Sequence, residues 1–247
     1  MKKILLAVMT IIAIGISTQS YSQSKFTVNF TGGYSAPMAD FKNNIILSDT
    51  AQDNWPYRMK NGFNFGAQGK LSLGNTGNYK LAFGLNYSSF SNEGTVTGTD
   101  GIARTFKPKV SLITIALGGE YDFLPKGNVN PYLGLDVTGN FWGGSFKFTP
   151  NNTTAFRDQD MKSEARFGLQ FNGGCEFKLS KNVGLTAGLK YNIANLVGKG
   201  QDDPSEVGPN EVDLGDKAHD IFPDRTVAYL QTYAGLVIYF GFPKSTK

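Results

Sequence analysis

The chain has 247 residues, 24 basic against 20 acidic side chains, 30 glycines, 13% aromatic residues, one cysteine and one histidine. The charge excess is too small for a nucleic-acid-binding surface, so no nucleic-acid partner is expected. One cysteine excludes a framework of intrachain disulfides.

Met1-Lys2-Lys3, the apolar stretch Ile4–Ile16 and the small residues Ser20 and Ser22 together read as a cleavable secretory signal over residues 1–22, leaving a single domain over 23–247. Its removal takes Lys2 and Lys3 and leaves 22 basic against 20 acidic residues. No other stretch approaches the roughly 20 continuous apolar residues of a spanning helix. An exported chain of this kind can be integral only as a closed barrel.

Eight segments alternate apolar and polar residues: 25–35, 61–73, 79–90, 109–123, 131–146, 164–179, 183–196 and 226–242. In the third, Leu81, Phe83, Leu85 and Tyr87 oppose Lys80, Asn86 and Ser88. In the fourth, Ile113, Ile115, Leu117, Tyr121 and Phe123 oppose Thr114, Glu120 and Asp122. The sixth sets Ala165, Phe167, Leu169, Phe171, Cys175, Phe177 and Leu179 against Arg166, Gln170, Asn172, Glu176 and Lys178. Strands this long suit a tilted crossing of a bilayer. Residues 74–78, 124–130 and 180–182 are tight turns, whereas 36–60, 92–108, 147–163 and 197–225 are long polar loops.

Alternation also fits a soluble barrel with its apolar side inward. An eight-stranded lumen cannot hold side chains as large as Phe63, Phe65, Phe83, Phe167, Phe171 and Phe177 together. The opposite face, built from Gly66, Gln68, Gly84, Asn86, Gly118, Thr138, Gly168 and Gly188, has the composition of a lumen rather than of a solvated surface. Aromatics gather at both strand ends as interfacial girdles. The expected fold is therefore all-β: an eight-stranded antiparallel transmembrane β-barrel, an up-and-down meander with long surface loops and both termini periplasmic.

Three stretches carry a family resemblance: Gly32 through Phe41 at the exit of the first strand, Pro131 through Asp136 opening the fifth, and Glu176 through Leu185 across the last turn. They resemble outer-membrane proteins with an OmpA/OmpX-type β-barrel domain, over essentially the whole mature chain. Tyr233, Gly235, Ile238 and Phe240 resemble the signal read by the barrel-assembly machinery, although Phe242 and a short tail follow the terminal aromatic. The resemblance implies outer-membrane lipid and lipopolysaccharide as surroundings and the assembly machinery as a partner during insertion. Larger members append a periplasmic peptidoglycan-binding domain, and only five residues follow Phe242, so the likeness is to the stand-alone barrels.

Lys70, Lys80, Arg166, Lys178 and Lys190 face inward with Glu120, Asp122, Asp136 and Glu176. Buried charges persist only when paired, so these nine form either a salt-bridged plug or the gate of a narrow pore. The last loop, rich in carboxylates, is a solvated surface or a collector of divalent cations. It also holds His219, followed by Asp220 and Ile221. With no serine two positions on and no strand to orient the imidazole, the pattern supports no enzyme, no metal site and no cofactor. Cys175 reads as a small apolar residue of the lipid face. Trp55-Pro56-Tyr57 in the first loop and Phe156 in the third either contact a surface partner, or cover the barrel mouth or dip into the outer leaflet. A surface partner is expected through loops 36–60 and 197–225. The function expected is structural or a surface interaction of the adhesion type. The alternative is a narrow gated pore, or transport of a small solute or an apolar molecule.

Overall fold

The computed structural model describes residues 25–42, 56–74, 76–97, 101–151, 156–200, 207–218 and 223–241. The signal segment 1–22, Trp55, Asp202, Asp203, Glu206, His219, Asp220 and Phe242 lie outside the described residues.

The strands are β1 (Phe26–Ala39), β2 (Asn61–Leu73), β3 (Tyr79–Ser91), β4 (Gly94–Thr97), β5 (Ala103–Asp122), β6 (Val129–Thr149), β7 (Gln159–Lys178), β8 (Val183–Val197), β9 (Glu211–Val212) and β10 (Val227–Phe240). Each long strand pairs antiparallel with its neighbours in sequence. The pairing of β1 with β10, from Phe26 opposite Phe240 to Ala39 opposite Val227, closes eight long strands into a ring. Closure leaves no edge within the bilayer, where unpaired backbone groups would be costly.

The strands are tilted. One ladder row runs from Ser35 through Gly62, Phe90, Val110 and Gly144 to Met161. Followed the other way, the row runs through Gln231 and Lys190 and reaches β7 at Asn172, 11 residues from Met161. Such a stagger requires tilted strands in a closed barrel.

The barrel is inverted relative to a soluble protein. Phe65 is 61% exposed and Phe167 60%, whereas Lys70 is wholly buried. Outward apolar side chains satisfy lipid, and inward polar ones satisfy one another.

Two short elements and several strand lengths depart from expectation. β5, β6 and β7 extend 20, 21 and 20 residues, into segments expected as loops. Past Ile113 on β5 and Phe141 on β6, the alternation continues with the chemistry of the two faces exchanged. Arg104, Phe106, Val110, Leu112, Trp142, Phe146 and Phe148 turn inward, while Lys107, Lys109 and Lys147 turn outward. Water replaces lipid outside the wall there, so the apolar face must turn in. β4 pairs with β5 along this overhang, and β9 adds two residues to β7 in parallel.

Candidate functional site: the lumen and its cap

The lumen fills in layers, which are described from the turn end to the loop end. At the turn end, Lys70 of β2 lies between two carboxylates, its Nζ 2.7 Å from Glu120 Oε1 and 2.9 Å from Glu176 Oε1. The same amine stands 4.2 Å from the Tyr132 ring centroid. Lys80, which the ladder sets opposite Glu120, reaches Asp122 at 2.6 Å, Glu176 at 3.7 Å and Glu120 at 3.9 Å. Asn130 Nδ2 donates to Asp122 at 2.6 Å. Even strand spacing brings these groups to one height, because each lies on the inward parity of its own strand. Lys178 stands aside, its amine 5.5 Å from the Tyr239 ring.

Above this cluster Asp136 accepts hydrogen bonds from Gln170 Nε2 at 2.7 Å and Asn172 Nδ2 at 2.9 Å. The hydroxyls of Tyr132 and Tyr233 meet at 2.5 Å, and Tyr132 also meets Thr186 Oγ1 at 3.1 Å. Lys190 lies 5.2 Å from the Tyr233 ring. A neutral layer follows, in which Gln231 Nε2 donates to Ser88 at 3.0 Å and to Ser35 at 3.3 Å. In the same layer Thr114 and Thr138 bond Asn140. Cavities near the turn end and in the middle of the lumen measure about 20 and 10 Å³. That is room for a water or two.

The loop end is closed by an apolar core to which all four long connections contribute: Phe41, Tyr57 and Met59 from the first, Val96 and Phe106 from the second, Phe148, Phe156 and Met161 from the third, Val212 and Leu214 from the fourth. Phe41 packs edge-on against Phe90 at 4.9 Å and Trp142 at 6.0 Å, and Phe148 stacks on Phe106 at 4.7 Å. Tyr57 donates its hydroxyl to Leu214 O at 2.7 Å, beneath the Arg225 guanidinium at 4.5 Å. Burial, and then the nearby Asp216 carboxylate, push the Tyr57 phenol well above its ordinary value, so it remains a donor.

Arg166 is not part of the turn-end cluster. It sits at the loop end, bonded to Asp216 at 3.0–3.1 Å and paired with Glu164. Asp216 also accepts from Asn195 Nδ2 at 2.8 Å and Gly200 N at 2.9 Å, and Glu164 accepts from Leu214 N at 2.6 Å. Asp216, expected on a solvated acidic loop, is therefore fully buried. The reason is that an inward arginine at the rim needs a carboxylate, and the last loop supplies it. Tyr57 and Phe156 cover the mouth.

At the seam, Tyr233 and Gly235 face the lumen, whereas Ile238 and Phe240 face outward. Phe240 lies against Phe26 with ring centroids 6.1 Å apart. β10 ends at Phe240 rather than at residue 242.

The chain matches the outer membrane protein beta-barrel domain over residues 19–198, most of its length, and it belongs to that family. It is an outer-membrane β-barrel protein. Among solved structures it is similar to Neisserial surface protein A, NspA, at 18% identity and a TM-score of 0.49, covering 88% of this chain and 98% of that one. A major outer membrane protein from Thermus thermophilus gives 16% identity, a TM-score of 0.49 and coverage of 87% and 99%. OprG from Pseudomonas aeruginosa gives 10%, 0.43 and coverage of 91% and 99%. No curated protein matches the chain.

Proposed function

We propose that this protein is a non-conducting barrel with a structural or adhesion-type role, its long loops outside the cell and both termini in the periplasm. One observation carries the reading: the mouth is filled by an apolar core drawn from all four long connections. Loops that only gated a pore would gain nothing from so much shared burial, whereas a fixed cap presents a constant surface to a partner. The turn-end ion cluster supports the same reading, because moving ions past it would uncover buried charges. Outer-membrane lipid, lipopolysaccharide and a surface partner at loops 36–60 and 197–225 are the contacts this role implies, with the assembly machinery acting at insertion through the last strand. His219, on which any enzymatic role would rest, lies outside the described residues.

Planar-bilayer conductance of the refolded mature chain tests the proposal. With folding established by heat-modifiable migration, wild type stays silent. Steady openings in wild type that change in Glu120→Ala/Glu176→Ala would replace this reading with a narrow gated pore.

A further inference from the structure

Where β5, β6, β7 and β9 rise above the lipid-facing wall, their outward side chains sort by charge. One ladder row sets Lys109 of β5 beside Ser145 of β6, Asp160 of β7 and Glu211 of β9. Two residues higher on the first two strands, Lys107 lies opposite Lys147. All the charged residues of this group are exposed. The rows climb toward the loop end by about 1.4 residues per strand, the stagger of 11 residues shared among eight strands. Lys107 and Lys147 therefore stand within about 3 Å of the height of Asp160, with Glu211 about 3 Å above it. At one level outside the barrel, the β5–β6 side of the face is positive and the β7–β9 side is negative.

The two halves do not neutralise each other within the chain. Among the described residues Lys147 and Asp160 enter no ion pair, and Lys107 pairs with Glu93 at 3.2 Å, both side chains more than half exposed. Lys162, half-buried where β7 bulges against β6, already makes a contact of its own. Just beneath the charged level the wall is smooth. Gly143 and Ser145 of β6 and Ala165 of β7 are small, and a Cβ added at Gly143 would meet open space.

We infer that this face, centred between β6 and β7, binds a second copy of this chain. Two copies inserted the same way in one bilayer form a twofold dimer only about an axis along the membrane normal. Such an axis exchanges left for right and preserves height. Lys147 of one copy then meets Asp160 of the other, Lys107 approaches Glu211, and each contact occurs twice, as an isologous interface requires. A face of uniform charge would repel its own copy, whereas this one, divided down the middle, complements it. The small residues beneath let the two walls come close enough for the pairs to form. The inference is independent of whether the lumen conducts and of which end of the barrel faces outside.

The test is energy transfer between donor- and acceptor-labelled mature protein, dyed at the N-terminal amine and refolded into phosphatidylcholine vesicles over a series of protein-to-lipid ratios. Wild type should associate, and salt should weaken the association by screening these exposed charges. Lys147→Asp alone makes the centre of the face negative and Asp160→Lys alone makes it positive. Each should weaken self-association roughly tenfold, at a factor of about three for each of the two symmetry-related pairs. An equimolar mixture of the two variants should associate like wild type, because every central contact then joins opposite charges between copies. The chain carrying both substitutions should do the same. Heat-modifiable migration unchanged in all three variants separates the interface from the fold. Wild type that stays monomeric at every ratio overturns the inference and leaves the face to a different protein. Single variants that associate as wild type does overturn it as well, and so does a mixture no better than its components, since recovery in the mixture cannot arise within one chain. Conductance tests the proposed function alone, so the two can fail independently.

Discussion

Lys70 shows how strongly one buried charge depends on its surroundings. Its amine neutralises parts of Glu120 and Glu176 at once, and water does not reach any of the three. Lys70→Met would leave Glu120 and Glu176 with the Lys80 amine as their cation, 3.9 and 3.7 Å away, so a loss of about 3–5 kcal/mol is expected. Urea unfolding of the protein in lipid vesicles would measure it. Lys190→Met, which removes an amine set over the Tyr233 ring, should cost well under half as much in the same assay. Asp216 makes a parallel case at the other end, where one carboxylate holds Arg166, Asn195 and Gly200. Asp216→Ala should free the last loop while the barrel persists. Limited proteolysis would then cut within residues 197–225 faster than in wild type, with heat-modifiable migration retained.

Among the elements, the strand seam is the most exacting. Gly235 faces the lumen so close to β1 that an added Cβ would fall within the Phe30 carbonyl oxygen. Gly235→Leu should therefore prevent β10 from seating on β1, and the expected result is loss of the fast-migrating folded band after refolding. Strand existence was legible because lipid and lumen impose opposite chemistry on alternate residues, as the set Phe167, Leu169 and Phe171 against Arg166, Gln170 and Asn172 displays. The overhang was not legible by the same rule. Between 103 and 111, and again between 143 and 149, alternation persists with its sign reversed, so a search for apolar residues on the lipid side reads polar loop. The reversal near Ile113 and Phe141 marks where lipid gives way to water. Asp216 was hidden for another reason: its partner Arg166 is 50 residues away, and nothing local separates it from its solvated acidic neighbours.

For the whole molecule, the relevant contrast is between the two ends. The turn end is held by charge, whereas the loop end joins apolar packing to the Arg166–Asp216–Glu164 pairs, so the two seals respond differently to solvent conditions. Urea weakens apolar burial, whereas a buried ion cluster is little affected by salt. At intermediate urea the cap should open before the barrel. Quenching of Trp142, buried in the cap, is expected to precede loss of the heat-modifiable band; coincident transitions would mean that cap and barrel form one cooperative unit.

Lys25 N donates to Phe240 O at 3.0 Å, so the beginning and the end of the described chain are neighbours. The ring's closing contact is thus among its most distant in sequence, and a ribosome delivers its second half last. No stable partial product can precede that delivery, because any shorter chain presents two bare edges. The order of synthesis is nevertheless no part of the architecture. A circular permutant, with residues 25 and 241 bridged by a short linker and new ends cut into 98–100, moves the final seam to another pair of strands. It should still reach the same barrel, more slowly or faster according to which hairpins the new order makes local.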